Sequence, residues 1–175
     1  MKKILFILIL IIISIFVYVN VNAQVLIPDS AIRVRVIPNS NSVFDQNIKD
    51  KVKTYVNNYM NTKLNGVTKI DDARNIIDNN IEQLNEGIND IFKDNDYNMN
   101  FTIKFGDNYF PYKVYKGVVY NEGNYESLVV YIGEAKGDNW WCVLFPPLCL
   151  LEADESDNDE VEYRSFVKDV LDKIF

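Results

Sequence analysis

The 175-residue chain contains no histidine. That absence removes the commonest general base, the Ser-His and Cys-His nucleophile pairs, and almost every zinc site built on imidazole. Positive charge is also scarce. Residues 1–23 hold two lysines and no acid, so from residue 24 onward 16 basic side chains face 25 acidic ones, a net charge of −9. This balance argues against a nucleic-acid partner, which demands a basic footprint, and against adsorption to an anionic lipid surface. Cysteine occurs twice, and no internal repeat is present. What remains suffices for one domain. About 150 residues can bury a core of their own, and 11 tyrosines and 10 phenylalanines are available to fill it.

The N-terminus carries the clearest pattern. Met1, Lys2 and Lys3 precede an almost unbroken apolar run from Ile4 to Val19, and Val21-Asn22-Ala23 offers the compact side chains a signal peptidase reads. The run has 16 residues, long for a cleaved h-region and short of the roughly 20 that span a bilayer. Both a signal peptide cut after Ala23 and a retained N-terminal anchor are therefore open. In either case Lys2 and Lys3 stay inside and the remainder is exported.

Residues 24–30 read as a linker. Ile32, Val34 and Val36 alternate with Arg33 and Arg35, which predicts a half-buried strand. Phe44, Ile48, Val52, Tyr55, Val56 and Tyr59 predict a first helix ending near Lys63, with Ser42 and Asp45 as a capping box. A second helix is expected over 72–92, where Gly87 marks close packing against the first or nothing. Strands follow at 99–105, 112–120 (a weaker one), 125–132 and 140–145. After the acids of 152–160, a C-terminal helix over 161–175 shows Tyr163, Phe166, Val167, Val170, Leu171 and Ile174 on one stripe. The expected fold is α+β: one domain at 31–152 with a mostly antiparallel sheet and two central helices, then an acidic connector at 153–160 and the closing helix.

Chemistry-bearing clusters are few. Cys142 and Cys149 bracket Val143 to Leu148. In an oxidising compartment a disulfide would stiffen that loop, worth about 2–3 kcal/mol in the loop-entropy account. Two buried thiols, and a nucleophilic cysteine served by a nearby Lys or Arg, are the alternatives. Of the adjacent Trp140 and Trp141, which face opposite ways in an extended chain, one can be core; the other either is core as well or, with Phe145, Pro146, Pro147 and Leu148, makes a candidate partner patch. Arg33 and Arg35 form a basic strip that pairs locally or receives an acidic partner. Gly133 to Gly137 lacks the spacing of a phosphate loop and reads as a tight hairpin. The acids of 152–160 lack EF-hand spacing, so no metal or cofactor is expected. Glu126 and Glu134 give only a weak case for a glycosidase pair.

Two stretches carry a resemblance. Gly123-Asn-Tyr-Glu-Ser-Leu-Val-Val-Tyr-Ile-Gly-Glu-Ala-Lys-Gly-Asp-Asn-Trp-Trp-Cys-Val-Leu-Phe-Pro-Pro-Leu-Cys149 and Ile32-Arg-Val-Arg-Val-Ile-Pro-Asn-Ser40 closely resemble the signature of the stage II sporulation protein R family. Val129 departs from it, standing where the family often has arginine. The resemblance implies a protein made in the forespore and exported into the space between the two membranes. There it would trigger the membrane-embedded aspartic protease that processes pro-sigma-E in the mother cell. It implies an intercellular signal with no catalytic residues and no small-molecule substrate. The alternative is an extracytoplasmic envelope enzyme such as a wall hydrolase.

Overall fold

The computed structural model describes residues 30–115 and 118–147, with short pieces at 9–11, 14 and 25–26. The chain order is β1 (Val25–Leu26), β2 (Ile32–Ile37), α1 (Val43–Leu64), α2 (Ile70–Asp78), α3 (Ile81–Asp94), β3 (Phe101–Phe110), β4 (Lys113–Tyr115), β5 (Val118–Tyr120), β6 (Gly123–Ile132) and β7 (Trp140–Phe145). The main sheet has the order β3-β6-β2-β7. Its β3·β6 and β2·β7 pairs are antiparallel, and β2·β6 is parallel. The α+β, mostly antiparallel expectation holds.

The alternation in β2 sets the layers. Ile32, Val34 and Val36 meet Leu128, Val130, Ile132, Trp140, Cys142 and Leu144 in one core with the helices. In α1 the residues Ile48, Val52, Val56, Met60 and Leu64 are buried at intervals of four. Phe44, expected on that stripe, is 52% exposed instead. Ser42 caps the helix by accepting the Asp45 N–H at 3.1 Å. The reciprocal half of the capping box does not form: the Ser42 N–H donates to Ser40 Oγ, and the Asp45 carboxylate turns elsewhere.

The single helix expected over 72–92 is two. The apolar spacing runs through both, with Ala73 and Ile77 in α2 and Leu84, Ile88 and Phe92 in α3, so periodicity alone cannot see the break. Asn79 and Asn80 make it. The Asn80 amide donates to the Ile76 carbonyl at 2.7 Å and accepts from the Tyr59 hydroxyl at 2.8 Å, offering the backbone a partner outside the helical ladder. Gly87 does mark close packing: a Cβ there would overlap the Tyr55 ring.

Three further expectations change. The stretch 112–120 is two short strands, β4 and β5, in a separate sheet of order β1-β5-β4. Val25 and Leu26, read as linker, pair in parallel with Val118 and Val119. Residues 133–139 are no hairpin, because β2 lies between β6 and β7; the loop crosses the end of β2. No described helix is long and apolar enough to cross a membrane. Most of the 1–23 segment, Leu148, Cys149, the acidic connector and the C-terminal helix lie outside the described residues.

Candidate functional site

The two signature stretches are far apart in the chain and adjacent in space. Strand β2, from the first, lies between β6 and β7, from the second. The register sets Arg33 beside Ser127 and Val143, and Arg35 beside Val129 and Trp141. Both arginines therefore lie on the sheet face away from the helices.

That face is not solvent. The β3·β6 ladder continues past β2 to the pair Phe110 and Gly123, and its far end brings Phe110 and Tyr125 against the arginines. The Arg33 guanidinium carbon lies 3.3 Å from the Tyr125 ring centroid and 5.6 Å from that of Phe110. Arg35 lies 5.5 Å from Phe110 and 5.2 Å from Trp141. Lys113 Nζ lies 5.0 Å from the Trp141 ring, and Phe110 meets Trp141 edge-on at 5.1 Å. Cations and rings alternate, an arrangement worth up to about 2 kcal/mol per desolvated pair. Arg35 also donates to the Tyr109 carbonyl at 3.3 Å and, with the Asn139 amide turned so that its oxygen faces the guanidinium, through Nη2 to that oxygen at 2.6 Å. Burial lowers the Arg35 pKa from its ordinary value, with Tyr131 acting in the opposite direction.

This packing corrects the expected partner patch. Trp140, Trp141 and Phe145 are 7%, 5% and 1% exposed, and Pro146 is buried. Pro147 is half-buried, and Leu148 lies outside the described residues. Trp140 belongs to the helix-side core, with Lys53 Nζ 5.3 Å from its ring. Trp141 packs on the opposite face. Arg33 is 1% exposed and Arg35 half-buried, so the basic strip is largely internal. The bulk of indole and guanidinium fills the second layer that a six-residue strand alternating with arginine does not by itself announce. Cys142 is buried.

At the other end of β2, the loop 38–42 ties the signatures together. Pro38 and Asn39 carbonyls accept the Gly137 and Lys136 N–H groups at 3.1 and 3.2 Å. Asn39 Oδ1 accepts from the Glu134 N–H at 3.0 Å, and Asn41 Oδ1 from the Asp138 N–H at 2.5 Å. Below this crossing the Asp45 carboxylate receives Ser40 Oγ at 2.5 Å, Tyr97 Oη at 2.6 Å and Asn39 Nδ2 at 3.0 Å. Burial pushes that carboxyl up, but the hydrogen bonds from Ser40, Tyr97, Asn39 and Ser42 outweigh it and hold the pKa at about 2. Burial, then the bond to Asp45, raise the Tyr97 phenol in turn.

The remaining carboxylates of interest are apart. Glu126 Oε1 accepts from Arg74 Nε at 2.8 Å and Oε2 from Arg74 Nη2 at 2.9 Å, which pins α2 to β6. Hydrogen bonds to Glu126 and Asp71 raise the Arg74 pKa. Glu134 is exposed beyond the other end of β6 and bonds Lys136 at 2.6 Å. Six residues of strand, about 20 Å, and then a turn separate the two acids, so they form no glycosidase pair. Among the described residues no group of three or more acids or cysteines could hold a metal.

Exposure falls where sequence reasoning did not look. Val43, Phe44, Met99, Tyr109 and Tyr112 are 81%, 52%, 46%, 58% and 60% exposed. The one available signal was the pair Val43-Phe44 at the start of α1, where two adjacent apolar residues cannot share one stripe.

The structure is an α+β domain whose signature strands are consumed by packing, with apolar side chains exposed outside them. Comparison with known proteins supplies the family. A family model for stage II sporulation protein R matches residues 28–155, and the chain belongs to that family of sporulation proteins. Stage II sporulation protein R of Bacillus subtilis (strain 168) is 34% identical over 155 residues, covering 86% of this chain and 69% of the relative. No solved structure gives a significant match.

Proposed function

We propose that this chain is an exported intercellular signal of endospore formation, activating by protein contact the membrane-embedded aspartic protease that processes pro-sigma-E in the mother cell. Family membership is the observation that carries the reading. The apolar N-terminal run supports export to the space between forespore and mother-cell membranes, whether or not the segment is removed. The chain acts without chemistry of its own, by binding the active state of the protease more tightly than the inactive one. Equal affinity for both states would shift nothing. Cys142 and Cys149 form a disulfide that closes the end of β7. Its part is to hold the buried Trp140-Trp141 strand in place.

The test is pro-sigma-factor cleavage by the co-expressed protease, with and without the chain, beside a Cys142→Ser/Cys149→Ser variant. Cleavage that depends on the chain is expected. A correctly folded chain that leaves the protease idle, or one that instead degrades cell-wall polymer, overturns the reading.

A further inference from the structure

The outer edge of β3 is the longest open edge of the main sheet. β3 has ten residues, ends the strand order, and has no strand on its outer side among the described residues. Natural edges of this length are blunted by proline, bulges or inward charge. β3 contains no proline and its register with β6 is continuous; the one device of this kind it carries is the exposed Lys104, and Gly106, at φ 135°, is the one residue of the strand with a left-handed backbone. The Tyr109 carbonyl is taken by Arg35 and the Gly106 carbonyl by the Asn108 side-chain amide, which leaves the remaining outward-facing backbone groups of 101–107 as the open stretch. The exposed large apolar side chains gather at its two ends. Met99 stands two residues before it, Tyr109 and Tyr112 just after, and Phe44 packs on Tyr97 at 5.5 Å.

We infer that β3 accepts an extended segment of the partner protein as a fifth strand, in β-augmentation. Backbone bonds along 101–107 supply the affinity, and Met99 and Tyr109 grip the segment at its ends. Asp107 lies opposite Glu126, whose carboxylate is engaged by Arg74. The exposed side chains of this stretch are Thr102, Lys104 and Asp107, so the fitting segment carries an acid opposite Lys104 and a lysine or arginine opposite Asp107. A second copy fits less well, since each chain carries −7 and the copies repel.

This inference rests on the activation reading, and one experiment separates the two. The full chain, carrying a photo-crosslinking residue at Thr102 or, as control, at Thr62 on α1, is co-expressed with the protease and its substrate. Cleavage and crosslinks are read together. Stimulated cleavage with crosslinking to the protease from position 102 and not 62 is expected. Met99→Asp and Tyr109→Asp, at exposed positions, should each raise the concentration for half-maximal stimulation at least ten-fold without moving the melting temperature. Stimulation with crosslinks only from position 62, or only to a second copy, overturns the edge and leaves the activation reading intact. No stimulation by the unsubstituted chain overturns the activation reading and this inference with it.

Discussion

Arg33 and Tyr125 are stacked inside the protein, guanidinium carbon 3.3 Å from ring centroid, with the arginine 1% and the tyrosine 7% exposed. A buried guanidinium keeps its charge and needs a partner that tolerates it; the π-face of a tyrosine does, and lies flat against it. Lysine has the charge without the plane. Arg33→Lys should therefore cost about 2 kcal/mol in urea unfolding, and Tyr125→Leu a similar amount. The double variant should cost at least about 1 kcal/mol less than the sum. Additive losses would show that the two residues matter for separate reasons.

The Asp45 carboxylate predicts how the protein meets acid. Its folded pKa of about 2 lies below the ordinary 3.8, so the unfolded chain binds a proton first. The contribution is present above about pH 4 and is lost as pH falls through about 2, amounting to about 2 kcal/mol for this 6%-exposed group. Asp45→Asn should remove that amount at neutral pH and flatten the stability profile between about pH 4 and 2. An unchanged acid limb would mean that other groups govern it.

Much of this was legible in the sequence, for identifiable reasons. Ile32, Val34 and Val36 announce a strand with an apolar face, and α1 announces itself by spacing and by Ser42. The break at Asn79-Asn80 was hidden because both flanking helices keep one apolar phase. The place of β2 between β6 and β7 was hidden too, since adjacency in a sheet leaves no local trace when the connecting loop is only seven residues long. Burial was the least legible property. Arginine and tryptophan in a short alternating strand look like a polar face and a surface patch. Only the curl of the β3·β6 ladder, which brings Phe110 and Tyr125 over them, makes them interior.

Gly87 gives a prediction whose sign depends on a neighbour. Alanine is favoured over glycine within a helix by about 1 kcal/mol. Here the new methyl would displace the Tyr55 ring, whose hydroxyl donates to the Gln83 carbonyl at 2.9 Å. Losing that bond and the ring packing outweighs the helical gain, so Gly87→Ala should destabilise by about 1–2 kcal/mol. In a Tyr55→Leu background the obstruction is smaller, and the same change should stabilise. Thermal unfolding of the four proteins reads the reversal. Destabilisation of equal size in both backgrounds would place its cause outside the Tyr55 contact.

Gly137 tests whether the crossing of the two signatures is rigid. It is buried, and a Cβ there would overlap the Ser40 backbone carbonyl and crowd the Pro38 ring. Backbone cannot swing aside as a tyrosine can, so Gly137→Ala must move the loop. It would forfeit the Gly137-to-Pro38 and Lys136-to-Asn39 bonds at 3.1 and 3.2 Å, at a cost of about 2 kcal/mol. The damage should be local at first. Hydrogen exchange should quicken at the amides of Glu134, Lys136, Gly137 and Asp138, which bond to Asn39, Pro38 and Asn41, while the amides of α3, held by their own helix, keep their protection. Faster exchange throughout would mean that the crossing is part of the global folding unit rather than a clasp upon it. Uniform protection would mean that Ser40 yields more readily than its bond to Asp45 implies.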